Sequence, residues 1–244
     1  MAQHRIIPCQ SWQEFKSVTI TSLFGTEPFS RGVYLFRGHG SANWPLMSSF
    51  DRWYLGVGGN KANKVKVSER FISFFQKEAE GIDVDRSIWT DRVARLALAQ
   101  HSGVPTRLLD WTESPYISAF FAFAGIALIP QPEPNVAVWC LDTRSEIWSK
   151  EFGVELLDIP SYGNDRLRNQ LGRFTLLRAP FDTLEEYVSN FDGAESALTQ
   201  FLIPSSDACA ALADLDVMGI NYSKVFPGLE GVARAARLRM LFER

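Results

Sequence analysis

The segment from Ser114 to Leu128, "SPYISAFFAFAGIAL", constrains the fold before any other. Ser114 is a good cap and Pro115 a good first-turn residue, so the segment reads as a helix. It is apolar on nearly every side, and such a helix cannot lie on a surface with one face wet. It must therefore be central, with the other elements packed around it. A chain of 244 residues with 46% hydrophobic content can bury a core of that size as one domain.

Runs rich in β-branched and aromatic residues, bounded by turn residues, place strands at 33–37, 135–141, 172–177 and 198–203. A helix capped by Ser68 carries Phe71, Phe74, Phe75 and Ala79 at spacings of three and four. Another begins at Asp91 and runs through Val93, Leu96, Ala97 and Leu98, and further helices are expected at about 206–217 and 229–241. Gly56 to Lys66 reads as a mobile, glycine-rich loop, and Pro130, Pro132 and Pro134 separate the apolar helix from the strand that follows. Strands and helices mix without regular βαβ alternation. The expectation is a single α+β domain over 1–244, with a mixed, largely antiparallel sheet and several packed helices.

The net charge of −3 gives no global basic field for nucleic acid. Cys9, Cys140 and Cys209 form neither a disulfide framework nor a zinc pattern. No segment offers about 18 uninterrupted apolar residues. A cytoplasmic protein with no membrane partner and no metal is expected.

Two stretches carry chemistry. In "VYLFRGHGSANWPLMSSFDR" an apolar strand ends in Arg37, followed by Gly38, His39 and Gly40. A strand-end arginine usually just reaches solvent. Here two glycines permit close backbone approach and the imidazole can donate or accept, which resembles the floor of an anion or nucleotide pocket. In "AQHSGVPTRLLDWTESPYISAFFAFA" an apolar stretch holds Gln100, His101, Thr106, Arg107, Asp110, Trp111 and Thr112. Two readings of this segment stand side by side. Arg107 pairs with Asp110, the threonines satisfy loop backbone and Trp111 plugs the core; or these groups line one pocket with Arg37, His101 acting on protons and Trp111 stacking on a ring.

"YLFRGHG", the segment just quoted, "NQLGRFT" and "FLIP…LADLDVMGINYSKVFPGLEGVA" together resemble the FRG domain family, named for the Phe-Arg-Gly found here as Phe36, Arg37 and Gly38. These motifs extend from about residue 30 to 235. A weaker resemblance, to ADP-ribosyltransferases of the Arg-Ser-Glu type, implies NAD as cofactor, its phosphate held by Arg37 and Gly38, and a macromolecular target, protein or nucleic acid. Where that type carries its catalytic glutamate, this sequence has Thr199 and Gln200. The residues and the resemblances together give Arg37, His101 and Glu230 as catalytic candidates, with Glu195, a few residues before the last strand, the second choice of acid. The candidate ligand contacts are Gly38, His39, Thr106, Arg107, Asp110, Trp111, Thr112, Gln170, Arg173 and Gln200. Arg166, Arg168 and Arg173 also read as a basic strip on a solvated helix face. The neutral amide of Gln200 suits the alternative of a non-catalytic sensor of a nucleotide or nucleic-acid end, and a scaffold with a purely structural motif is the third reading. No Walker loop, G-x-S-x-G elbow or H-E-x-x-H pattern competes.

Overall fold

Seven strands form one mixed sheet in a computed structural model that describes residues 4–24, 32–127, 129, 131–158 and 170–242. In chain order they are β1 Arg5–Pro8, β2 Tyr34–His39, β3 Leu108–Thr112, β4 Asn135–Asp142, β5 Val154–Leu157, β6 Gly172–Leu177 and β7 Leu198–Pro204. Across the sheet the order is β1-β7-β4-β2-β3-β6-β5. The β1–β7 pair is parallel and the others are antiparallel. The helices are α1 Trp12–Phe24, α2 Ser49–Gly56, α3 Lys64–Glu78, α4 Arg86–Thr90, α5 Arg92–His101, α6 Pro115–Ile126, α7 Leu184–Val188, α8 Ala208–Val217, α9 Tyr222–Val225 and α10 Leu229–Phe242. Together they make the α+β domain that the mixed pattern implies.

The apolar helix α6 is central. The Ser114 hydroxyl accepts from the Ile117 N–H at 3.3 Å, Pro115 opens the helix, and Phe120 and Phe123 are fully buried. Burying each phenylalanine contributes roughly 1.5–3 kcal/mol. Alternation along the strands divides the sheet: Phe36, Val138, Cys140 and Phe201 face α6, α1 and α8, while Leu35, Trp139, Leu141 and Leu198 face α7 and the 146–148 turn. A third core joins α3 and α5 to Leu108, Phe174 and Leu176.

Gly38 explains how closely α6 lies on β2. A Cβ there would sit 1.8 Å from the Ser118 carbonyl oxygen and 2.8 Å from the Ala122 nitrogen, so only glycine lets helix and strand meet. Gly231, from the last family motif, does the same for α10 against the Phe226 and Tyr222 carbonyls, at 1.8 and 2.7 Å.

Three local expectations change. The Thr106–Thr112 loop is strand β3 from Leu108 onward, buried on both faces except at Asp110. The Gly56–Lys66 loop contains a 3-10 turn at Lys61–Asn63, and α3 starts at Lys64 rather than at Ser68. Lys64 is fully buried, held by Asp51, Asp182 and the Phe181 carbonyl. All three cysteines are unpaired. Among the described residues no helix is long and apolar enough to cross a membrane.

Candidate functional site

The Phe-Arg-Gly motif divides its duties by strand alternation. Phe36 and Gly38 turn toward α6, so Arg37 and His39 turn to the other face beside Trp139. Strand β2 pairs with β4 from Tyr34 to His39, but with β3 only at Phe36 opposite Thr112. Beyond that point β2 and β3 separate, and Arg37 spans the opening. Its Nη1 donates to the Asp110 carbonyl at 2.7 Å and its Nε to His39 Nε2 at 3.1 Å; the Asp110 carboxylate lies 3.7 Å from Nη1.

His39 is the acceptor that fixes the guanidinium. Because Nε2 receives the Arg37 proton, Nδ1 carries the hydrogen and donates to the Trp44 carbonyl at 3.1 Å. Burial, then the adjacent Arg37 charge, push the imidazole pKa down to about 3, so the ring is neutral at neutral pH. Arg52, exposed on α2, adds its charge to the field at both Arg37 and His39. Trp44, 57% exposed, stands with its ring 6.3 Å from that of His39. The Arg37 side chain is 24% exposed, and its Nη2 donates to no described residue.

A short polar chain runs on from the opening. Gln100 Nε2 donates to the Asp110 carboxylate, and the Thr106 hydroxyl donates to Gln100 Oε1. Thr106 is anchored in turn by Ser49, whose hydroxyl accepts from the Thr106 N–H at 3.1 Å. Thus Arg37, His39, Asp110 and Thr106 are brought into one network. His101 is not part of it: it is exposed at the end of α5, and the neighbouring Gln100 makes the contact instead.

The remaining candidates are placed elsewhere or occupied. Arg107 does not pair with Asp110; its Nε meets the buried Asp51 at 3.2 Å and its Nη2 donates to the Ala179 and Phe181 carbonyls at 3.1 and 3.2 Å. Trp111 is buried, its indole N–H donating to the Thr175 hydroxyl at 3.0 Å, so it has no face for a ligand ring. The Thr112 hydroxyl accepts from the Ser114 N–H at the entry to α6. Gln170 donates to the Val225 carbonyl at 3.2 Å, and Arg173 is tied to Glu113 and Asp158. Gln200 is 5% exposed; its amide donates to the Ala42 carbonyl at 2.8 Å, and its oxygen lies 3.3 Å from His4 Nε2.

Neither candidate acid is seated at Arg37. Glu230 pairs with Arg234 on α10, whose Leu238 joins the core on the α6 face of the sheet, opposite to the face that Arg37 takes. Glu195 is exposed in the turn before β7. Arg166 and Arg168 lie outside the described residues. Gln100, read in the sequence only as one of the pocket-lining groups, makes the contact to Asp110, and two groups that sequence reasoning left out stand near the opening: Trp44 and Arg52. Trp44 and Arg52 belong to the same twenty-residue stretch as Arg37, and an exposed tryptophan after a charged strand end is the signal that identifies them.

The likeness read from the motifs has an independent counterpart. The family model described as "FRG domain" matches residues 32–127. No curated protein and no solved structure matches the chain. The matched segment contains the whole Arg37 opening, from β2 through Trp44, Arg52, Gln100 and Asp110 to the helix on which Gly38 rests: this chain carries an FRG domain.

Proposed function

We propose that the protein binds a nucleotide at the Arg37 opening and recognises it without transferring any part of it. One observation carries this reading: the Arg37 guanidinium is immobilised through Nε and Nη1 while Nη2 meets no described residue, the Arg52 charge acts on it, and the exposed Trp44 ring stands near its prop, His39. A pre-positioned fork is suited to a phosphate, and an exposed indole to a base. NAD, ADP-ribose and AMP share that chemistry.

The same residues do not fit NAD as a donor of ADP-ribose. Cleavage of the glycosidic bond develops positive charge on the ribose, which a carboxylate stabilises and an amide does not. Gln200 is an amide already spent on Ala42 and His4, and Glu230 belongs to the opposite face. Asp110 is the carboxylate beside Arg37, and it is engaged by Gln100.

Calorimetric titration with NAD, ADP-ribose and AMP tests the binding. Arg37→Lys should weaken it at least about tenfold, since lysine keeps the charge but loses the planar fork. Incubation with labelled NAD, protein and nucleic acid should give no labelled product and no nicotinamide. Release of nicotinamide that disappears in Asp110→Asn would replace this reading with the transferase one. Absence of binding by all three nucleotides would leave the scaffold.

A further inference from the structure

We infer that the cavity between α3, α5 and β6 is a second, separate anion site, built for an organic phosphate the size of a mononucleotide. The cavity measures about 400 Å³, and its wall does not include Arg37. Four guanidinium side chains line it, from Arg92, Arg95, Arg107 and Arg178, against a single lining carboxylate, Glu69.

Local partners leave this charge under-compensated. Glu155 is shared: it takes Arg178 at 2.6 Å and leaves Arg92 at 3.7 Å. Arg95 Nη1 donates to the Trp89 carbonyl, a neutral group, at 2.8 Å. Arg107 is 4% exposed, and although Asp51, Ala179 and Phe181 satisfy its Nε and Nη2, its Nη1 is buried with no hydrogen-bond partner. That nitrogen does not itself open onto the cavity, but it leaves in the wall a guanidinium whose neighbours satisfy it only in part. Burial and then the charge of Arg178 oppose protonation of Arg92, and the carboxylates of Glu155 and Glu69 offset them only in part.

The rest of the wall sets the kind of anion. Ile72, Leu96 and Leu176 supply an apolar surface, and about 400 Å³ lies in the usual range for pockets that enclose small organic ligands. A bare phosphate leaves that surface uncovered, whereas a phosphate ester places its oxygens on the arginines and its carbon body on the leucines. Thr106 belongs to the wall and is linked through Gln100 to Asp110, so the cavity is connected to the Arg37 opening without being part of it.

The test uses the full chain, titrated calorimetrically with AMP, ribose 5-phosphate, inorganic phosphate and adenosine. The inference does not rest on the reading of Arg37, and the variants separate the two sites. Arg92→Gln combined with Arg95→Gln should weaken ribose 5-phosphate binding at least tenfold, while Arg37→Lys leaves it unchanged; adenosine should not bind here. Ser73→Trp, an exposed wall position, should block the cavity with every arginine in place, and thermal melting of each variant checks that it is folded. Binding lost in Arg37→Lys but kept in the folded Arg92/Arg95 and Ser73→Trp variants would overturn the inference. Failure of both ribose 5-phosphate and AMP to bind the unaltered protein would overturn it as well.

Discussion

Arg37 and Arg107 flank the same stretch of sheet and have opposite surroundings. Arg107 is closed in: Asp51 meets it at 3.2 Å with 1% of its side chain exposed, and buried Lys64 shares that carboxylate at 3.5 Å. Arg37 is propped open: a neutral histidine and a backbone carbonyl hold it, and the one carboxylate nearby is 60% exposed at 3.7 Å. The difference teaches where each arginine's charge is used. Around Arg107 charge is consumed in holding α2, α3 and the 179–182 turn against β3, whereas around Arg37 it is kept available at the surface.

The largest expected effect breaks the closed side. Asp51→Asn leaves Arg107 and Lys64 buried with only Asp182 between them, and should destabilise the fold by about 3–5 kcal/mol in urea melts. A loss under about 1 kcal/mol would erase the contrast between the two arginines. Gly38→Ala attacks the frame of the open side: its Cβ would lie 1.8 Å from a helix carbonyl, and separating α6 from β2 should cost about 3 kcal/mol.

The next effect reads the prop itself. His39 has its pKa lowered to about 3 in the folded protein, below the unfolded value, so the unfolded chain binds the extra proton between those two pH values. Stability from this group is therefore full above pH of about 6.5 and declines as pH falls, by about 2 kcal/mol between pH 7 and pH 5. Glu185, raised by burial, works in the opposite sense, so the measurement is the difference between the unaltered protein and His39→Gln. A difference independent of pH would mean that His39 is not the neutral acceptor of Arg37. The smallest effect is that of Asp110→Asn, expected to change stability by under about 1 kcal/mol because the pair is exposed. A cost near that of Asp51→Asn would show that Arg37 is as closed as Arg107.

The contrast was only half legible in the sequence. The four strands read from apolar runs appear within two residues of their expected ends, because β-branched and aromatic residues pack well on a pleated surface. The short strands β1, β3 and β5 gave no such run. In "LLDWT" the polar residues suggested a loop, although Leu109 and Trp111 fall on one face and Leu108 and Thr112 on the other. The reading that paired Arg107 with Asp110 took the segment for a loop; in an extended chain residues three apart point to opposite faces. Its real partner lies 56 positions away, beyond the reach of any local pattern. Gln200 stood where an acid was wanted, and nothing in its neighbourhood announced that its amide would fasten the Ala42 loop.

Where β1 lies has a consequence for synthesis on the ribosome. Arg5 aligns with Thr199 in the parallel β1–β7 pair, and β7 is also the strand that covers the outer edge of β4. When the stretch 32–127 has been translated, β2 still awaits β4, β3 awaits β6, and the first strand has no neighbour at all. At ordinary elongation rates the residues between β4 and β7 take on the order of ten seconds to emerge, during which an apolar strand edge is unpaired. The segment that carries Arg37 is thus not an autonomous folding unit, and it acquires its final geometry only once β7 has emerged.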